Sequence, residues 1–222
     1  MPQKTTTPGT TTAPAPSAQT YGVGARFSLH PMTPDFVPVI LDALASGDAS
    51  RLEVSTDNVS TFLGGSEADV LMYLRDVIAA AAGTGVHTVA HVLLSRGCPG
   101  EVTCELPDDA TYIPESVPDL ARTGLPASAH WSLYPLDDGD AQGGRGDHMA
   151  GIAEAVERAR ARGTFTRSEH FATRLDGDLA DVLTTVAEGW LLVGRRVRHV
   201  TSHATISLNS PSAGAVPEAG AR

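Results

Sequence analysis

The chain has 222 residues, two cysteines and a formal net charge of −10, from 16 basic and 26 acidic side chains. A nucleic-acid binder concentrates Lys and Arg to neutralise phosphates, so an acid excess with no basic run speaks against that partner. No stretch is apolar over the length that spans a bilayer, and the start of the chain lacks the apolar segment of a signal peptide, so a cytoplasmic protein without membrane insertion is expected.

Residues 1–20, dominated by Thr, Pro and Ala, are read as a disordered tail, because such a composition buries too little apolar surface to offset ordering. "ARFSLHP" then alternates Ala25, Phe27 and Leu29 against Arg26, Ser28 and His30, the period-two pattern of a half-buried strand ended at Pro31. "TPDFVPVILDALASG" predicts a helix with Thr33 as N-cap, Pro34 in its first position and Gly47 as its stop. "RLEVST" and "VSTFLGG" predict two strands around a turn at Asp57 and Asn58. From Ala68 onward, Val70, Leu71, Leu74, Val77 and Ile78 fall at helical spacing up to Gly83, and "HTVAHVLLS" closes the segment as a strand.

The same order then recurs. "HWSLYP" at 130–135 echoes "RFSLHP" at 26–31, and further on Thr61, Leu63, Gly65 and Asp69 reappear as Thr173, Leu175, Gly177 and Asp181, each 112 positions later. The second copy reads as strand "SAHWSLYP", helix "HMAGIAEAVERARARG", strands "FTRSEH" and "FATRLDG", helix "LADVLTTVAEGWLLVG" and strand "HVTSHATISL", with an insertion, "DDGDAQGGRGD", at 137–147. A period this long indicates a duplicated domain, and β-α-β-β-α-β is the split βαβ or ferredoxin-like sandwich of the α+β class. The expected division is a first repeat at 21–105, a linker at 106–126, a second repeat at 127–211 and a disordered tail at 212–222. With both helices on one face of each sheet, the other face needs cover, from the sheet of the other copy or from a second subunit.

Several residues are candidates for chemistry. In the third strand of each copy, Val59, Thr61 and Leu63 share one face, as do Phe171, Thr173 and Leu175, so each copy sets a hydroxyl in an apolar wall beside Leu29 or Leu133. Such a hydroxyl either bonds a neighbouring backbone group or is kept for a ligand held between sheet and helices. His87 with His91, and His199 with His203, are each four apart on strands, about 13 Å, which is too far for one metal ion. Cys98 and Cys104 lack a second ligand pair at zinc-finger spacing and read as ordinary loop thiols. No phosphate loop, nucleophile elbow or acid pair stands out, which favours a binder over an enzyme.

"GARFSLHPMTPDFVPVILDAL", "TDNVSTFLGGSEADVL" and "LLSRGCPG" resemble the first repeat of the YkoF family of hydroxymethylpyrimidine (HMP)/thiamine-binding proteins. "SLYPL", "GTF", "LDGDLADVL" and "SLNSPS" resemble its second. The resemblance runs from about Tyr21 to Ser212 and implies tandem ferredoxin-like domains in a homodimer, each domain holding one ligand by its pyrimidine; neither a cofactor nor a metal is expected. It implies a non-enzymatic cytoplasmic protein that serves thiamine-precursor uptake or salvage beside an ABC-type transporter. The positions matching its ligand contacts are Leu29 and Thr61 in the first copy, Leu133 and Thr173 in the second. The alternative is a small-molecule-sensing regulator or an enzyme on the same scaffold. His30 against Tyr134, and Phe62 against Arg174, predict two sites of unequal affinity.

Overall fold

In the computed structural model, residues 16–97, 112–114, 116–136 and 148–213 are described. Cys98, Cys104, the insertion at 137–147 and most of both predicted tails lie outside them.

The first repeat runs β1 (Gly24–Pro31), α1 (Phe36–Ser46), β2 (Glu53–Thr56), β3 (Thr61–Gly64), α2 (Glu67–Gly83) and β4 (Thr88–Arg96). The second repeats that order as β5 (Pro126–Leu136), α3 (His148–Arg162), β6 (Phe165–Glu169), β7 (Ala172–Asp178), α4 (Leu179–Gly194) and β8 (His199–Leu208). Both long inner helices start at a side-chain cap. The Ser66 hydroxyl accepts from the Asp69 amide at 3.2 Å, and the Asp178 carboxylate accepts from the Ala180 amide at 2.9 Å. The predicted N-cap of α1 moves: Thr33 accepts from the Asp35 amide at 3.2 Å in a turn of its own, so the helix begins at Phe36.

Among the described residues all strands pair antiparallel in one eight-stranded sheet, ordered β2-β3-β1-β4-β8-β5-β7-β6. Each half is the fourth-first-third-second order of the ferredoxin-like unit, and the halves join edge to edge through β4 and β8. Val92 pairs with its own counterpart Ala204, 112 positions away, so a pseudo-twofold axis passes between them. The expectation that one copy's sheet covers the other's face is therefore wrong. The fourth strands leave open edges whose N–H and C=O groups need partners, and pairing those edges satisfies them along nine residue pairs.

The helices cover one face. Phe27, Leu63, Val92, Leu94, Leu175 and Ile206 point at α2 and α4 and are all buried. The alternate residues, including Arg26, His30, His91, Leu93, His130 and His203, lie on the helix-free face and are exposed or half-buried.

The third strands start later than predicted. Val59 is 75% exposed and Phe171 97% exposed, both in turns before β3 and β7, so neither belongs to the inward face of its strand. Phe171 has φ of 65°, a left-handed conformation that ends the extended geometry on which the alternation rests.

Candidate functional site

The second repeat contains a cavity of about 260 Å³ between β5, β7 and α3. Trp131 and Leu133 of β5 and Thr173 of β7 supply the sheet side, Ile152 and Val156 the helix side, and Glu169 at the end of β6 and Phe171 in the turn after it the mouth. The register explains the meeting: Trp131 pairs with Thr173, and Leu133 lies two residues on along the same face. Trp131 is fixed from behind, its indole N–H donating to the Ser202 hydroxyl at 2.8 Å. Gly189 of α4 makes room for the ring, since a Cβ there would sit 2.5 Å from Cη2. Among the described residues no hydrogen bond engages the Thr173 hydroxyl.

In the first repeat the counterpart residues keep the same relation. Phe27 pairs with Thr61, and Leu29 stands two residues further along the same face. Thr61 and Leu29 are 4% and 7% exposed. The Thr61 hydroxyl lies 3.0 Å from that of Thr56, so it has a neighbouring hydroxyl for a partner and not the carbonyl of the simplest alternative. A hydroxyl has one donor and two acceptor positions, which leaves Thr61 capacity beyond that bond. The structure thus brings Leu133 together with Thr173 and Leu29 together with Thr61. It keeps the two pairs apart, with β4 and β8 between β1 and β5.

A wider hollow of about 400 Å³ lies near Arg122, Ser128, Asp176 and Asp178, but its carboxylates are already engaged. Burial alone would raise the Asp178 pKa, yet the amides of Thr123, Ala180 and Gly124 and the Thr123 hydroxyl outweigh it and hold the group below the usual carboxylate range. Asp176 is likewise lowered against its burial, by Arg174, Ser128 and Thr166.

A family model described as YKOF-related matches residues 22–101 and again residues 126–213, one match per repeat. The chain belongs to the YkoF-related family. It is 37% identical over 194 residues to a Bacillus subtilis (strain 168) protein named "Putative HMP/thiamine-binding protein YkoF", an overlap of 85% of this chain and 91% of that protein.

For this YkoF-family chain, the histidines singled out by spacing regroup across strands. His91 stacks with His203 at 6.1 Å between ring centroids and meets His30 edge-on at 5.2 Å, while His87 bonds the Ser207 hydroxyl at 3.1 Å. Partial burial and the neighbouring His30 and His203 push the His91 pKa down, which favours neutral imidazole. Among the described residues no group of three or more His, Cys, Asp or Glu side chains is arranged to hold a metal ion. No helix among them is long and apolar enough to cross a membrane.

Sequence reasoning missed Trp131, Ile152, Val156, Glu169 and Phe171 as cavity residues. The alternation that made Leu133 inward also makes Trp131 inward, so that one was available. The helix and turn residues were not, because strand periodicity carries no information on which side chains meet from other elements. Of the differences expected to make the copies unequal, Phe62 and Arg174 lie on the helix-free face: Arg26 sits over the Phe62 ring at 5.8 Å, and Arg174 pairs with Asp176 at 2.8 Å. Differences nearer the candidate sites are Phe27 against Trp131, Asp57 against Glu169, and Val59 against Phe171.

Proposed function

We propose that this chain binds thiamine and its hydroxymethylpyrimidine precursor, one ligand in each repeat, and releases them chemically unchanged. The observation that carries the reading is the cavity in which Leu133 and Thr173 meet beneath α3. Its volume suits one aromatic ring with small substituents better than a larger ligand, since drug-sized pockets start near 300 Å³. An aminopyrimidine presents an N–H donor beside a ring-nitrogen acceptor, and a threonine hydroxyl with a nearby main-chain group can satisfy that edge in a dry pocket. The name of the Bacillus relative points to the same ligand class.

The non-enzymatic part of the reading rests on the polar groups at the cavity. Ser132 donates to the Phe171 carbonyl at 2.9 Å, and the Glu169 carboxylate pairs with Arg167 at 2.6 Å, so neither forms a nucleophile with its base. The chain acts in the cytoplasm, as a homodimer joined through the helix-free face, and buffers or hands on ligand beside an ABC-type importer in thiamine-precursor uptake or salvage. Incubating the protein with thiamine, followed by dialysis and chromatography of the released ligand, tests the binder against the enzyme: quantitative recovery of unaltered thiamine supports it, and a time-dependent new product overturns it.

A further inference from the structure

The end of β6 and the turn after it hold two features that the folded chain does not repay. Phe171 is an aromatic residue in the left-handed region, at φ of 65°, a conformation that costs any residue with a bulky side chain. Strain of this kind is usually offset by burial, yet the ring is 97% exposed. The Ser132 hydroxyl, donating to the Phe171 carbonyl at 2.9 Å, ties the turn to β5 in this position. Glu169, the last residue of β6, borders the same cavity; its partner Arg167 is only two residues away and half exposed, and such solvent-accessible pairs hold weakly.

The counterpart loop of the first repeat, residues 57–60 against 170–171 in the second, is longer and has none of this. Val59 replaces the aromatic ring. Asp57 replaces Glu169, but it accepts from the amides of Val59 at 2.7 Å and Ser60 at 2.9 Å and faces Arg26, so its charge is used within its own turn.

We propose that Glu169 and Phe171 make the second site charge-selective: they form a lip for a flat cationic ring, with the carboxylate as counter-ion and the phenyl face as a cation–π surface. This rests on the pyrimidine-binding reading above. With the pyrimidine seated against Leu133 and Thr173, the remaining half of thiamine, a thiazolium cation, falls at the mouth. The second site therefore separates thiamine from neutral ligands of the same shape, and the first does not.

The chain has two tryptophans; Trp131 lines the second cavity, Phe27 takes its place in the first repeat, and Trp190 is fully buried in α4. Tryptophan quenching in the full chain thus reports on the second site. The titrants are thiamine, hydroxymethylpyrimidine and the uncharged thiophene isostere of thiamine. The expected result is thiamine binding about tenfold more tightly than the isostere, a ratio that falls below about threefold in Glu169→Gln and in Phe171→Gly, while hydroxymethylpyrimidine affinity changes less than about twofold. Phe171→Gly relieves the backbone and raises the denaturation midpoint even as thiamine affinity falls, an opposition that a purely structural role would not produce. Equal affinity for thiamine and its isostere, or a ratio that survives both substitutions, overturns the lip while leaving pyrimidine binding intact. Absence of quenching by all three ligands overturns both readings together.

Discussion

Thr173 stands in a cavity wall beside Trp131, Leu133, Ile152 and Val156, where a valine would occupy nearly the same space. Valine is at least as favourable as threonine in a strand, so Thr173→Val should leave the denaturation midpoint unchanged or slightly raised. Loss of a ligand hydrogen bond costs about 1–3 kcal/mol when the ligand group stays unsatisfied, so affinity at the second site should fall roughly five- to a hundredfold. Calorimetric titration of the variant checks this, and unchanged affinity would assign Thr173 to packing alone. Asp178 belongs to the same scale but to stability. Its carboxylate accepts from the amides of Thr123, Gly124 and Ala180, the last as the cap of α4. Asp178→Ala removes the cap and leaves the buried Ala180 amide without its acceptor, while the Thr123 and Gly124 amides can turn to water, for an expected loss of about 1–3 kcal/mol in urea denaturation. Because its folded pKa is lowered, the contribution is complete above the unfolded value near 4 and is lost as pH falls through the folded one, so the variant's deficit should shrink below about pH 4.

At the scale of elements, the second cavity depends on how α4 seats under β5. Gly189 lets the helix backbone approach the Trp131 ring, and Ala155 of α3 borders the same point, 3.2 Å from where a Cβ would stand. Gly189→Ala must displace the indole or the helix, at an expected cost of about 1–3 kcal/mol, and should weaken ligand binding in the second repeat while sparing the first. Tryptophan fluorescence of the variant, read alongside its urea midpoint, checks both effects. The elements themselves were largely legible in the sequence. Alternation in "ARFSLHP" and helical spacing from Val70 to Ile78 are strong because one side of each element meets a core and the other does not. The turns before β3 and β7 were misassigned to their strands because Val59 and Phe171 are β-favourable residues whose exposure is set by the turn, and neither the positive φ of Phe171 nor its place at a cavity leaves a mark in the alternation. Leu29, Thr61, Leu133 and Thr173 were reached both by alternation and by family resemblance; the contributions of α3 and of the β6–β7 turn depend on packing between elements and were not.

At the scale of the whole molecule, joining β4 to β8 makes one continuous sheet that, among the described residues, carries a single helix layer and has a broad face left uncovered. That joint was not legible, because alternation along β4 and β8 is the same whether the strands pair at their edges or the sheets stack. The uncovered face carries the His30, His91 and His203 cluster and Leu93, which is 38% exposed close to the pseudo-twofold axis. If this face joins two copies, Leu93→Glu should convert a dimer to a folded monomer in light scattering with an unaltered circular dichroism spectrum; a dimer that persists would move the interface elsewhere. Whether each repeat recognises a pyrimidine is tested most directly by isothermal titration of the full chain with hydroxymethylpyrimidine, thiamine and the isolated thiazole portion. Heat from the first two ligands but not the third, saturating at two ligands per chain, is the predicted result. Binding of the thiazole portion alone, or no heat from any of the three, would contradict it.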